Sequence, residues 1–185
     1  MPDAPAGFPS SWPTVPDCYG WLALDARGKW RLRGERVVHP GLIAFLSAHY
    51  TRDEHGRWLV QNGPQRVFVE LDAAPLVLRL HPDGRVLAHT GKPVTPAAPL
   101  LMDADGNAFM ATCGGPGMVD DRDLAGFAAA LTQPDGSAAG DTEVLELIAG
   151  AEHAGLRWRD LAVEFCPRAE IPLRLGYRPV PVPEL

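Results

Sequence analysis

The stretch Leu24–Gly28, LDARG, returns in the second half of the chain as Met102–Gly106, MDADG. In both copies an apolar residue leads into Asp-Ala-x-Gly, and apolar runs lie on either side. Asp-x-x-Gly is typical of tight turns, because Asp accepts hydrogen bonds from the backbone and Gly adopts a positive φ without strain. The two stretches therefore predict two hairpins, one in each half of the chain.

Three further pairs of anchors follow the hairpins in the same order along the chain. They are Arg57-Trp58 with Arg157-Trp158, Val69-Glu70-Leu71 with Val163-Glu164-Phe165, and Leu78-Arg79-Leu80 with Leu173-Arg174-Leu175. Helical spacing of apolar residues also predicts one amphipathic helix in each half, over 42–50 and 124–131. The anchors indicate either an internal repeat or independent hairpins that share good turn chemistry, and their common order favours the repeat. We therefore predict an α+β fold of two repeated motifs, each a curved antiparallel sheet with a packed helix.

The predicted organisation has five segments. A proline-rich arm covers residues 1–18, a first α+β motif 19–90, a linker 91–99, a second α+β motif 100–177, and a proline-rich tail 178–185. Proline disfavours regular structure, which sets the arm, the linker and the tail apart from the motifs. Within the motifs, the strongest strand pair is predicted to be the hairpin of 67–71 and 76–80, with a third helix over 141–154 and a strand over 171–175.

Composition and charge limit which binding partners and which cellular compartment are expected for this protein. The chain has 185 residues, is 46% hydrophobic and carries a formal net charge of −6. This charge argues against a nucleic-acid partner, because such binding needs a basic surface that neutralises several phosphates. No apolar run is long enough to cross a bilayer, so no membrane association is expected. The N-terminus lacks signal-peptide features and the three cysteines show no Cys-x-x-Cys spacing, which together predict a cytoplasmic protein.

Two acid and arginine pairs are the candidate ligand-binding residues. Glu70 and Arg79 are predicted to meet across a hairpin, and Glu164 and Arg174 repeat the pattern in the second half. Each pair is either an ordinary ion pair on the surface or a source of charge for a ligand in a groove between the halves. The sequence leaves both interpretations open.

The other reactive residues match no complete catalytic or metal-binding pattern. The loop that begins at Asp103 resembles a calcium-binding loop, but its sixth position is Ala108 and its twelfth is Gly114. Cys113 lies in a glycine-rich loop and is either an inert thiol or an accessible nucleophile. The six histidines lack zinc-binding spacing. We therefore predict no catalytic residue, no metal site and no cofactor, and the balance is against an enzyme.

Four motifs between Trp21 and Leu80 carry a family resemblance. They are DARGKW at 25–30, HPGL at 39–42, GRWLV at 56–60 and VELDAAPL at 69–76. Together they resemble the bacterial domain-of-unknown-function family 1285 over the N-terminal two-fifths of the chain, with a weaker similarity to the uncharacterised protein family 0598. The resemblance implies repeated α+β motifs and a role in ligand binding or signalling, and it implies no reaction and no active-site residue.

These observations predict a non-catalytic protein that binds a small molecule or a partner protein in a groove between its two halves. The groove is expected because pockets form preferentially where domains meet. The resemblance to family 1285 implies that the binding serves regulation or signalling. Two alternatives remain at this point, an enzyme of undetermined reaction and an interaction module that uses its proline-rich ends as peptides.

Overall fold

A computed structural model describes residues 15–150 and 155–183. The chain divides into two compact units. Unit 1 contains the described residues up to Ala73 together with those from Tyr177 onward, and unit 2 runs from Ala74 to Gly176. Most of the predicted arm, residues 151–154 of the predicted third helix and the last two residues of the tail lie outside the described residues.

Unit 1 is built on a six-stranded sheet with one helix. Its strands are β1 (Asp17–Leu24), β2 (Trp30–Leu32), β3 (Glu35–Arg36), β4 (Tyr50–Arg52), β5 (Trp58–Asn62) and β6 (Gln65–Leu71). Their spatial order is β3-β2-β1-β6-β5-β4, and helix α1 (Pro40–Ala48) connects β3 to β4. The side chains that alternate onto one face of β1 and β6 form the core of this unit, including Leu22, Leu24, Val67, Val69 and Leu71.

Helix α1 begins where proline and a histidine cap favour it. Nδ1 of His39 accepts a hydrogen bond from the backbone N–H of Leu42 at 3.2 Å, and Pro40 occupies the first turn, where no N–H is needed. Leu42 and Leu46, one turn apart, are the buried side chains. The predicted helix over 42–50 is confirmed with its bounds shifted by two residues, because Tyr50 pairs with Val60 as the first residue of β4.

Unit 2 is built on a nine-stranded sheet. Its strands are β7 (Leu76–Leu80), β8 (Val86–Ala88), β9 (Pro93–Val94), β10 (Pro96–Met102), β11 (Ala108–Thr112), β12 (Gly117–Val119), β13 (Leu131–Thr132), β14 (Arg157–Trp158) and β15 (Leu161–Phe165). Their order is β13-β14-β15-β10-β11-β12-β7-β8-β9. The helices are α2 (Leu124–Ala129), which follows a 3-10 turn at Asp121–Asp123, then α3 (Asp141–Ile148) and α4 (Ile171–Leu175). No helix among the described residues is long and apolar enough to span a membrane.

The fold is α+β, as predicted, but the sheets are mixed rather than antiparallel. Three neighbouring pairs of strands run parallel: β1 with β6, β10 with β15, and β7 with β12. The prediction joined strands that are close in the sequence through hairpins. A parallel pair instead requires a long crossover connection. In each of these three pairs, the chain between the two strands forms several further strands or helices.

The predicted hairpin of 67–71 and 76–80 is wrong. Its two strands are β6 and β7, which belong to different sheets. The connection between them is held on either side by other parts of the chain: the N–H of Asp72 donates to the carbonyl of Leu24, and the N–H of Leu76 donates to the carbonyl of Pro116. Turn-forming residues at 72–75 therefore mark a change of sheet and not a reversal within one.

Proline positions account for two further differences from the prediction. Residues 91–99, expected as a linker, contain β9 and the start of β10, whose register is irregular between Ala97 and Leu100, where proline is tolerated. Residues 171–175, expected as a strand, form helix α4. Pro172 suits the first helical turn, and Gly176 ends the helix with φ +70°.

The two predicted hairpins, at Leu24–Gly28 and Met102–Gly106, are confirmed. Asp25 and Asp103 each accept hydrogen bonds from two backbone N–H groups of their own turn, and Gly28 and Gly106 have φ of +72° and +78°. Asp103 is 1% exposed, and its carboxylate also accepts from the side chains of Asn107 and Arg168. The carboxylate at the start of the calcium-like loop therefore accepts hydrogen bonds that hold the turn together.

Candidate functional site

A cavity of about 440 Å³ in unit 2 is the candidate functional site. Its wall combines three parts of the chain: the β7–β8 turn, the segment from the 3-10 turn through α2, and the end of β14. The lining residues are Leu80, His81, Pro82, Gly84, Arg122, Asp123, Gly126, Ala130, Trp158 and Arg159. We call this space the arginine cavity.

The turn after β14 brings Arg159 to the arginine cavity in a rare backbone conformation. Its φ is +55°, in the left-handed region that favours glycine. The guanidinium carbon lies 4.1 Å from the centroid of the Trp158 ring, and Nη2 donates to the carbonyl of Gly84 at 2.8 Å. This hydrogen bond links the β14–β15 turn to the β7–β8 turn, and so fixes two walls of the cavity to one another.

Arg122 is positioned by a buried carboxylate. Asp120 is 1% exposed and accepts from Nε of Arg122 at 2.7 Å, from Nη2 at 2.6 Å and from its backbone N–H at 3.1 Å. The side-chain hydrogen bonds from Arg122 outweigh the effect of burial and hold the pKa of Asp120 at about 2, against an ordinary value of 3.8. Since half of the Arg122 side chain remains exposed, its guanidinium is oriented and still accessible.

Arg79 and Asp123 form a second ion pair, beside the pair of Arg122 and Asp120. Nε of Arg79 donates to Oδ2 of Asp123 at 2.6 Å, and the N–H of Leu80 donates to the same oxygen at 2.9 Å. Burial raises the pKa of Asp123, but these hydrogen bonds outweigh it and leave that pKa below its ordinary value. Repulsion from the positive charge of Arg122 acts to lower the pKa of Arg79, so the two guanidinium groups lie within electrostatic range of each other.

The arginines of this site are suited to binding an anion, and its two paired carboxylates are poorly suited to acid–base catalysis. A general acid or base works best when its pKa lies near the working pH, but the pKa values of both carboxylates are shifted away from neutrality. Arginine offers planar pairs of N–H donors that match a carboxylate or a phosphate. The site therefore presents oriented donors, with its carboxylates already engaged.

Among the described residues, one of the two predicted acid and arginine pairs is present. Glu70 lies on β6 in unit 1, and Arg79, expected beside it, pairs with Asp123 instead. Glu164 and Arg174 do form the predicted ion pair, at 2.6 Å between Nη2 and Oε2, although Arg174 reaches it from helix α4 and not from a strand. Both members of that pair are largely exposed.

The sequence reasoning missed the residues that build the arginine cavity. The run Asp120–Asp123 has the pattern of an acidic helix entry, and the Asp120 side chain caps the 3-10 turn. The overlooked signal is Arg122 within that run, because an arginine two residues after a capping aspartate can return to the same carboxylate. Arg159 had no signal of its own, since its position depends on a turn conformation that arginine rarely adopts.

The other reactive groups have simple surroundings. Cys113 is exposed, and its Sγ accepts a hydrogen bond from the N–H of Thr95 at 3.2 Å. Within 15–150 and 155–183, no group of three or more His, Cys, Asp or Glu side chains is placed to hold a metal ion.

Comparisons with known proteins place the chain in a family. Residues 9–182 match the family DUF2944, described as "Protein of unknown function (DUF2946)". The chain belongs to this family. None of the curated proteins compared with it matches.

Two solved structures of family 1285 are similar to this member of DUF2944. One, from Silicibacter pomeroyi DSS-3, is 15% identical with a TM-score of 0.48, over 64% of this chain and 73% of its own. The other, from Shewanella baltica OS155, is 16% identical with a TM-score of 0.42, over 58% and 90% respectively. The resemblance to family 1285 inferred from the four motifs is thus also found between structures. At these TM-scores the similarity supports no argument about function.

Proposed function

We propose that this protein is a non-catalytic binding protein whose arginine cavity takes a small anionic molecule through a carboxylate or phosphate group. The main support is the set of positioned guanidinium groups in the wall and beside it. Arg122 and Arg159 line the cavity, and Arg79 lies next to it through its bond to Asp123. The carboxylates of Asp120 and Asp123 are already engaged by Arg122 and Arg79. The hydrogen bonds of Arg159 and Arg122 fix their direction before a ligand arrives, which lowers the entropic cost of binding.

The backbone of Arg159 supports the same proposal. A non-glycine residue in the left-handed region costs about 1 kcal/mol, and such conformations cluster at binding sites. Its stacking on Trp158 recovers about 0.5–1 kcal/mol at an exposed position. Glycine at this position would relieve the backbone, so the guanidinium is what this residue contributes.

The test is a titration with inorganic phosphate and citrate, followed by isothermal calorimetry and by thermal unfolding. We expect saturable binding with a Kd of roughly 1 mM, which corresponds to about −4 kcal/mol for so few ligand atoms. The variant Arg159→Gly removes the guanidinium, keeps a backbone that suits φ +55°, and should abolish the response. Retained binding by this variant would refute the proposal.

Unit 1 provides a matched control for that variant. Arg33 also has a positive φ, +52°, and its guanidinium lies 4.8 Å from the Trp21 ring, but it does not line the arginine cavity. Arg33→Gly should therefore leave phosphate and citrate binding unchanged. An equal loss in both variants would show that binding depends on net charge and not on the cavity.

We further infer a regulatory or signalling role in a reducing compartment, the cytoplasm. A site that binds without transforming its ligand can report the ligand's concentration through a change of stability or of partner affinity. The free cysteines Cys18, Cys113 and Cys166 support the compartment, since disulfides are rare where thiols are kept reduced.

We also infer that the chain carries an internal duplication. Its support is a shared connectivity: in β1–β6 the first strand forms a hairpin with the second and lies parallel to the sixth, and in β10–β15 the same two relations hold. The registers correspond as well, since Leu24 faces Leu71 in one set and Met102 faces Phe165 in the other. Superposition of experimental coordinates for 17–71 and 96–165 tests the inference, and different chain paths would contradict it.

A further inference from the structure

A second cavity in unit 2, of about 510 Å³, forms an open apolar groove between α2 and α3. Its lining residues are Ala125, Ala128, Ala129, Ala139, Asp141, Val144 and Leu145. We call it the alanine groove. The three alanines of α2 lie on one helix face, at spacings of three and four residues, and Val144 and Leu145 come from α3.

The alanine groove exposes apolar surface that folding alone does not require. Leu145 is 61% exposed, although α3 already buries Leu147 against the core. Helix axes in packed pairs lie 8–10 Å apart, and small side chains allow the closer end of that range. An alanine floor with a leucine at its edge therefore has the shape and chemistry to receive one more helix.

The charge near the alanine groove indicates which kind of partner helix would bind there. Residues 123–156 contain six Asp or Glu and no Lys or Arg, so the remainder of the chain, with 17 of each sign, is neutral. Asp123, one of these six acids, is paired with Arg79 at the arginine cavity and does not contribute to the alanine groove. Asp141 lines the groove itself, and Glu146 is exposed on α3 next to Leu145. The carboxylate of Glu143, by contrast, is used within the protein, since it accepts from the N–H of Gly140 at 2.9 Å.

We propose that the alanine groove binds an amphipathic helix of a partner protein, with an apolar face flanked by Lys or Arg. A second copy of this chain fits less well, because Arg174 in α4 is the single basic residue in the α-helices of the described ranges. An anionic lipid surface would be repelled by the acidic rim. The proposal is independent of the arginine cavity, which lies on the other flank of α2 and includes Gly126 and Ala130.

The probe is a fluorescein-labelled peptide of about 18 residues, or five helical turns, with Leu at i, i+3, i+4 and i+7 and Lys at the remaining positions. Its fluorescence anisotropy is followed as full-length protein is added. We expect saturable binding that weakens as salt is raised, because part of the attraction is between exposed charges. A peptide with Glu in place of Lys should not bind.

Two variants separate the apolar and the electrostatic contributions. Leu145→Gln removes the exposed apolar side chain and should weaken peptide binding about tenfold, as expected for a leucine at an interface. Glu146→Lys should also weaken binding and should reduce its dependence on salt. Both positions are exposed, so unchanged thermal unfolding is expected and confirms that the variants fold.

Helix α4 supplies the matched control. Leu173 is 85% exposed in the same unit but lies outside the alanine groove, so Leu173→Gln should leave peptide affinity unchanged. Absence of saturable binding, or an equal effect of the two leucine variants, would overturn the proposal. So would a dimer of the protein that is lost in Leu145→Gln, or a preference for anionic vesicles of phosphatidylserine over the peptide. The Leu145→Gln variant should keep the phosphate response, which distinguishes failure of this groove from failure of the arginine cavity.

Discussion

The buried carboxylate of Asp120 makes the stability of this protein depend on pH in a predictable way. Folding lowers the pKa of Asp120 from 3.8 to about 2, chiefly through its hydrogen bonds with Arg122. Each unit of pKa corresponds to about 1.36 kcal/mol, so the ionised group contributes about 2 kcal/mol to the free energy of unfolding at neutral pH. Because the folded pKa is the lower one, the contribution is complete above about pH 5 and is lost as the pH falls towards 2.

The variant Asp120→Asn isolates this charge, since asparagine retains an oxygen that can accept from the N–H of Arg122. Urea unfolding at about pH 7 should show the variant to be less stable by about 2 kcal/mol, with an unchanged m-value. At about pH 3 Asp120 is mostly protonated in the unfolded chain and still mostly ionised in the folded protein, so the difference should fall to roughly half. Other aspartates titrate in the same range, so the quantity to compare is the difference between the two proteins at each pH.

Asp83 offers a control with the same change of charge at the surface. Its carboxylate pairs with Arg85 at 2.7 Å, but both side chains are largely exposed, where ion pairs contribute little. Asp83→Asn should therefore leave the unfolding midpoint at pH 7 unchanged. If the stability loss of Asp120→Asn were the same at both pH values, its cause would be the altered cap and not the charge, and the reasoning would be wrong.

Two further stability predictions concern single positions in unit 2. Asp103→Ala should lower the free energy of unfolding by about 2–4 kcal/mol in urea, because it leaves the turn's N–H groups and the Arg168 side chain without their buried acceptor. Gly117→Ala should destabilise by about 1–3 kcal/mol, since its Cβ would lie 2.7 Å from Cγ of Leu78. Gly126→Ala in α2 is the matched control, has no heavy atom within 4 Å of the added Cβ, and should raise the melting temperature through a gain of about 1 kcal/mol in helix propensity. Equal effects of the two glycine variants would contradict the packing argument.

Features that depend on neighbouring residues could be predicted from the sequence. The turns at Asp25 and Asp103 need only an aspartate that accepts from the next few N–H groups and a glycine that accepts a positive φ. The start of α1 follows in the same way from His39 and Pro40. These elements are specified within a few residues, so no knowledge of the remaining chain was required.

Features that depend on distant partners could not be predicted. Alternation of Leu and Arg around Arg79 indicates a strand but leaves its neighbour open, and the parallel pairing with β12 begins about 40 residues later. The carboxylate that binds Arg79 comes from the same distant region, at Asp123. Over the five residues around Arg174, the same alternation does not distinguish a strand from a short helix. The helix forms because Pro172 suits its first turn and Gly176 ends it.

Helix α2 shows how a correct helix prediction can miss the sites beside it. Six residues are too few for a stable isolated helix, so α2 depends on anchors such as Phe127, whose ring centroid lies 5.3 Å from that of Trp158. Ala128 belongs to the apolar pattern from which this helix is predicted. In the structure Ala128 lines the alanine groove, and Gly126 lines the arginine cavity on the other flank. Larger side chains at these two positions would fill the space, so the small residues that contribute least to burial are the ones that leave room for two sites.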